Sequence, residues 1–116
     1  MNFPWWWPFG EVERVAPEAL AEALEREPWP QLLDVRTAAE FSAGHIRGAL
    51  NVPITSLQAR VARLDLDRSR PVVAVCLSAH RSPPAVRLLR RNGYDAAELA
   101  GGMMAWRAAG LPVARR

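Results

Sequence analysis

The chain has 116 residues, with 15 Arg and no Lys against 12 Asp plus Glu, half of its residues apolar and a formal charge of +3. That length suits one compact domain with a buried core rather than two. The lone Cys76 excludes an intrachain disulfide framework, and no Cys/His spacing fits a structural zinc site, so neither metal nor cofactor is expected.

Residues 1–10, MNFPWWWPFG, form a Trp/Pro-rich arm. No basic residue precedes the run and Pro4 and Pro8 interrupt it, so it fails as a signal peptide, and it is far short of the ~20 apolar residues of a membrane span. Trp5, Trp6 and Trp7 are expected to pack back on the domain or dock a symmetry mate; the alternative is an interfacial or partner-docking anchor. The protein is expected to be soluble and cytoplasmic.

Residues 11–116 read as one unit. A short strand at 11–15 leads to Pro17, which suits a first helical position. Leu20, Ala23 and Leu24 fall on one face and Glu18, Glu22 and Glu25 on the other, predicting an amphipathic helix to about Glu27, ended by Pro28 and Pro30. Residues 32–35 are an apolar strand. Thr37 with Glu40 three residues later forms a capping box that opens a brief helix stopping at Gly44. A strand at 49–52 is closed by Pro53 and followed by a helix over about 56–63.

The segment 71–77, PVVAVCL, is apolar at consecutive positions and reads as a strand covered on both faces, in the middle of a parallel sheet. Ser82 is expected as an N-cap with Pro83 at the first helical position, Val86 and Leu89 marking the buried face up to Asn92 and Gly93. Arg87, Arg90 and Arg91 then lie near a helix end, where cations suit the macrodipole, and no aromatics interleave with them, so no nucleic-acid partner is expected. A strand at 97–99 precedes a helix that starts at Gly101 and Gly102, runs through Met104 and Ala108 and ends at Gly110 and Pro112. Strands alternate with helices throughout, so the class is α/β with a largely parallel sheet and helices on both faces.

Cys76 ends the expected central strand, six residues before Ser82. At that edge of an open α/β sheet, loops face a helix N-terminus and bind ligands. The short loop of Leu77, Ser78, Ala79, His80 and Arg81 can curl its amides round whatever occupies the sulfur. Amides, helix end and Arg81 together favour thiolate over thiol, since a thiol near pKa ~8.5 falls by about a unit or more in such a setting. A buried structural Cys finishing a core strand is the alternative. The mild positive balance of the chain permits a small anionic substrate.

Leu33-Asp34-Val35-Arg36 with Glu40-Phe41, then Gly44-His45-Ile46-Arg47-Gly48-Ala49, Asn51-Val52-Pro53, Cys76 to Ser82, Gly101-Gly102 and Trp106 resemble the rhodanese (thiosulfate sulfurtransferase) family over about residues 11–113. The resemblance implies a single rhodanese domain of five parallel strands in the order 1-5-4-2-3. It also implies sulfane-sulfur transfer through a Cys76 persulfide, from thiosulfate or a persulfide donor to cyanide, a small thiol or a protein thiol. Amides of residues 77–81 would stabilise the persulfide, and Arg81 would close the loop and help hold the donor. A non-catalytic rhodanese-like binding or sulfur-relay module acting with a protein partner is the second reading. Four residues separate Cys76 from Arg81, whereas related cysteine phosphatases have five, which favours sulfur over phosphate.

Two positions depart from the family pattern. Ala79 stands where Gly is usual, and if φ is positive there its methyl costs about 1–2 kcal/mol. Leu77 makes the cleft mouth more apolar, which suits a protein or thiol acceptor. Asp34 and Arg36, beside the Cys76 strand in the family's order, are expected mainly to pair with each other and with backbone while supporting the loop. Glu40 is read as the partner of Thr37 and His45 as structural. His80 offers its amide to the cradle, and Met103, Met104 and Trp106 are read as packing.

Overall fold

The computed structural model describes residues 13–78 and 81–115. The Trp-rich arm and the beginning of the first expected strand lie outside them, as do Ala79 and His80. Among the described residues the elements are β1 (Arg14–Val15), α1 (Pro17–Ala23), β2 (Gln31–Asp34), α2 (Ala38–Ala43), β3 (Leu50–Asn51), α3 (Ile54–Arg60) with a 3₁₀ turn at Val61–Arg63, β4 (Val72–Val75), α4 (Ser82–Arg91), β5 (Ala96–Leu99) and α5 (Gly102–Ala108).

The strands form one sheet in the order β1-β5-β4-β2-β3, and every pairing is parallel. The fold is therefore the expected α/β class, with β4 at the centre. All four β4 residues are buried, as a strand covered on both faces must be. Alternation along the strands divides the core in two. Leu33, Val35, Val72, Ala74, Cys76 and Ala96 pack with Leu57 of α3 and with Ala85, Val86 and Leu89 of α4. Leu32, Val73, Val75 and Leu99 pack on the other side with Leu20 of α1 and with Met103 and Trp106 of α5. Each such Leu, Val or Met is worth roughly 1.5–3 kcal/mol on burial.

Several boundaries differ from the sequence expectation. Helix α1 stops at Ala23 rather than near Glu27, because Glu25, Arg26 and Glu27 offer no apolar side chain to pack and a short helix is held by its packing. Helix α3 begins at Ile54, two residues early, directly on Pro53 as N-cap, which brings Ile54 onto the core. The capping box of Thr37 and Glu40 is present in both directions. In α5, Met103 and Trp106 pack inward, but Met104 is 59% exposed because it falls on the opposite side of the helix. No helix among the described residues is long and apolar enough to cross a membrane.

Ser82 is not the N-cap of α4. Arg81 takes that place, Ser82 is the first helical residue, and no side chain caps the helix. An arginine side chain carries donors only and cannot cap, and the next two residues add to this. With Arg81 as cap, the N–H groups that a capping side chain would bind belong to Pro83 and Pro84, which have none. The same two prolines halve the four amide donors of the first turn, so the end of α4 offers an anion less than its sequence position implies.

Candidate active site at the end of the central strand

The register of the parallel sheet places Cys76 one residue beyond β4, at the carboxyl edge where the crossovers leave a crevice. The residue is 1% exposed and belongs to the α3/α4 side of the core. Its carbonyl accepts from Met103 N at 2.8 Å, and that of Leu77 accepts from Met104 N at 2.9 Å. The first turn of α5 thus clasps the start of the loop. Such an approach needs a residue without a side chain at Gly102, where a Cβ would stand 2.4 Å from the Cys76 carbonyl oxygen.

The far end of the loop is held by charge. Arg81 Nη1 donates to Glu40 Oε1 at 2.9 Å and Nη2 to Oε2 at 3.0 Å, a two-pronged pair tying the loop to α2. Glu40 was read from the sequence only as the capping partner of Thr37; it does both. The Arg81 guanidinium, above all, together with the Thr37 amide, brings its carboxyl down to about 2 against the opposing effect of burial. Arg81 is raised in turn, first by its bond to Glu40.

This pair dictates an acid response. A carboxyl lowered from its ordinary 4.5 to about 2 stabilises the fold fully above 4.5 and loses that contribution as pH falls towards 2. Glu40→Gln is therefore expected to be less stable than the parent above pH 4.5, with the two converging at lower pH. Urea midpoints across that range measure it; a constant difference would show that Glu40 acts through packing rather than charge.

Asp34 and Arg36 make the expected pair beside the loop, fully buried, with Arg36 Nη2 donating to Oδ2 at 2.7 Å and Nε to Oδ1 at 2.9 Å. Arg36 Nη2 also donates to the Gly44 carbonyl, and Asn51 Nδ2 bridges the carbonyls of Asp34 and Arg36. These contacts brace the ends of β2 and β3 around the crevice. His45 stacks on Phe41 with ring centroids 3.8 Å apart and bonds its carbonyl through Nδ1, as a structural residue does.

One residue near the cysteine was not singled out from sequence. Glu98 lies in β5, wholly buried, and accepts from Ser82 Oγ at 2.5 Å and from Arg14 Nε at 2.8 Å. Ser82 Oγ in turn stands 3.4 Å from Cys76 Sγ. A glutamate inside an apolar strand flanked by Ala96, Ala97 and Leu99 was the available signal, because a buried carboxylate requires partners.

The structure thus gathers Cys76, Leu77, Ser78 and Arg81 at one sheet edge, with Asp34 and Arg36 bracing the neighbouring strand ends. The expectations for Ala79, a positive φ, and for the His80 amide lie outside the described residues.

Residues 16–109 match the family model described as a rhodanese-like domain. An HTH-type transcriptional regulator of Mycobacterium tuberculosis is 48% identical over 97 residues, which cover 80% of this chain and 42% of the regulator, so the chain spans about two fifths of that relative's length. A sulfurtransferase of Allochromatium vinosum is 35% identical over 103 residues, covering 88% of this chain and 94% of the relative. The crystal structure of a rhodanese-related protein from Thermoplasma volcanium is similar with a TM-score of 0.81 at 27% identity, covering 90% of this chain and 99% of that one.

Proposed function

The chain belongs to the rhodanese-like domain family, and from that premise we propose that it is a sulfurtransferase carrying sulfane sulfur as a persulfide on Cys76. The observation that carries this reading is the position of Cys76, at the carboxyl end of the central strand and with four residues between it and an Arg81 clamped to Glu40. The Allochromatium relative, a sulfurtransferase of nearly the same length, supports it.

With thiosulfate as donor, the Cys76 thiolate attacks the outer sulfur, the sulfur–sulfur bond to the sulfonate breaks, and sulfite leaves with the bonding pair. The persulfide keeps one negative charge on its outer sulfur. On this reading the loop stabilises that charge as an oxyanion hole stabilises an oxygen, and Arg81, tied to Glu40, helps to hold the donor. Cyanide, a small thiol or a protein thiol then attacks the outer sulfur and Cys76 departs as thiolate, which completes a two-step exchange cycle. No second thiol is needed, and Cys76 is the sole cysteine of the chain.

Incubation with thiosulfate should add one sulfur atom to the intact mass, and cyanide should remove it as thiocyanate. Absence of loading with thiosulfate and with a persulfide donor would reject the reading. Loading followed by delivery only to a protein thiol would instead assign the relay form of the same chemistry.

A further inference from the structure

The Cys76–Ser82–Glu98 contacts have a direction that the hydrogen count imposes. Both oxygens of Glu98 accept, one from Ser82 Oγ and one from Arg14 Nε, as a carboxylate's do. Ser82 has one hydroxyl hydrogen, and its 2.5 Å contact to Glu98 uses it. What the hydroxyl turns towards Cys76 Sγ, at 3.4 Å, is therefore a lone pair, and the sulfur is the donor. A lone pair backed by a buried carboxylate welcomes S–H and opposes S⁻. The loop amides, the helix end and Arg81 are expected from the sequence to favour the thiolate; this chain of contacts works the other way.

We propose that Glu98 is a positioning residue for Cys76, acting through Ser82 to hold the resting sulfur protonated and to disfavour negative charge on Sγ. The inference rests on the sulfur-carrying role proposed above only for its consequence. In the persulfide the charge lies on the outer sulfur, one bond farther from Glu98, and Sγ itself bears neither proton nor full charge. The network thus opposes the bare thiolate more than the loaded state. Loading from the resting thiol first releases its proton to solvent and gives up the S–H contact with Ser82; from the thiolate so formed, the network favours the transfer that moves charge to the outer sulfur and resists its return to Sγ.

The fold supports the arrangement from several elements. Arg14 and Glu98 are partners in the β1/β5 register, and Ala74, the partner of Glu98 on β4, is small enough to leave the carboxylate room. Of the other charged groups around the crevice, Asp34 is paired with Arg36 on the β2 side, Arg81 with Glu40 on the α2 side, and Arg90 of α4 lies 3.9 Å from Glu13. Helix α5 presents backbone amides to the Cys76 and Leu77 carbonyls. Glu98 is joined to the sulfur by hydrogen bonds through a single hydroxyl, that of Ser82.

Glu98→Gln tests this without changing shape. Arg14 Nε draws the amide oxygen, the amide NH₂ then faces Ser82 Oγ, and the hydroxyl hydrogen is released to the sulfur. Alkylation of the full chain by iodoacetamide, which needs no sulfur transfer, reads the outcome. At neutral pH the variant should react about tenfold faster, with its pH profile displaced to lower pH. Ser82→Ala should react faster than the parent but slower than Glu98→Gln, and should abolish the effect of adding Glu98→Gln. Persulfide loaded on Glu98→Gln should also pass to a small thiol faster than from the parent. An unchanged or slower alkylation in Glu98→Gln overturns the proposal, as does an effect that persists in the Ser82→Ala background, because charge alone would then explain it. If Glu98→Gln does not fold, Ser82→Ala decides alone, and no rise in its rate overturns the proposal. Because alkylation is independent of thiosulfate, failure here is distinguishable from failure of the sulfurtransferase reading.

Discussion

Replacing Cys76 with Ser should reduce sulfur loading to none and thiocyanate formation by at least about 10³-fold, to the uncatalysed background. The substitution changes one atom and leaves the fold little to object to. Cys76 is buried against Ser82, and a hydroxyl at that position can still donate to Ser82 Oγ. What disappears is the nucleophile, since a serine hydroxyl does not ionise near neutral pH and bonds weakly to sulfane sulfur. Intact mass after thiosulfate treatment measures the first effect and colorimetric thiocyanate the second. A variant that still gained one sulfur would place the acceptor elsewhere on the chain and end the proposed mechanism. The thermal midpoint should stay close to the parent's, which separates loss of chemistry from loss of structure.

Gly102→Ala should destabilise the protein by about 3 kcal/mol or more, combining a left-handed backbone with a collision against main chain. Its φ is +61°, and a Cβ there would lie 2.4 Å from the Cys76 carbonyl oxygen and 2.6 Å from the carbonyl carbon and oxygen of Leu77. These are backbone atoms at the end of the central strand, so relief requires α5 to move away from the loop. The amide bonds from Met103 and Met104 to those same carbonyls would break with that movement. Gly110→Ala provides the comparison: its φ is +74° with nothing within 4 Å, so it should cost only about 1–2 kcal/mol. Urea unfolding of both variants checks the difference, and sulfur loading should slow in the Gly102 variant alone. Equal costs would show that backbone conformation, and not the close approach, governs the position.

That Cys76 ends an apolar strand and precedes a helix could be read from PVVAVCL and the prolines that follow. So could the helix starting at Gly101 and Gly102. The close contact between that helix and the cysteine's own carbonyl could not, because Gly102 and Cys76 lie 26 positions apart and only the β4/β5 pairing brings their ends together. Glu40 is similar. Its capping box is local, within three residues of Thr37, and was legible; its pairing with Arg81 spans 41 positions and depends on α2 packing across the crevice.

Ser82 shows local reasoning giving the wrong partner. A serine before two prolines has the composition of an N-cap, yet the helix starts one residue earlier, with Arg81 in the cap position, and the buried Glu98 takes the Ser82 hydroxyl instead. The residue's position in sequence suggested a helix function, and its position in the fold gives it a place beside the sulfur.

The sequence by itself determined the α/β class, the burial of the central strand on both faces, and the place of the lone cysteine at that strand's carboxyl end. It could do so because hydrophobic periodicity and turn chemistry act over a few residues, and because a single cysteine leaves no alternative thiol. Only the tertiary structure decided which charges meet: Arg81 with Glu40, and Glu98 with Ser82 and Arg14. Those pairings follow from strand register and helix packing, and the energy of a buried charge depends on what the rest of the chain brings within 3 Å of it.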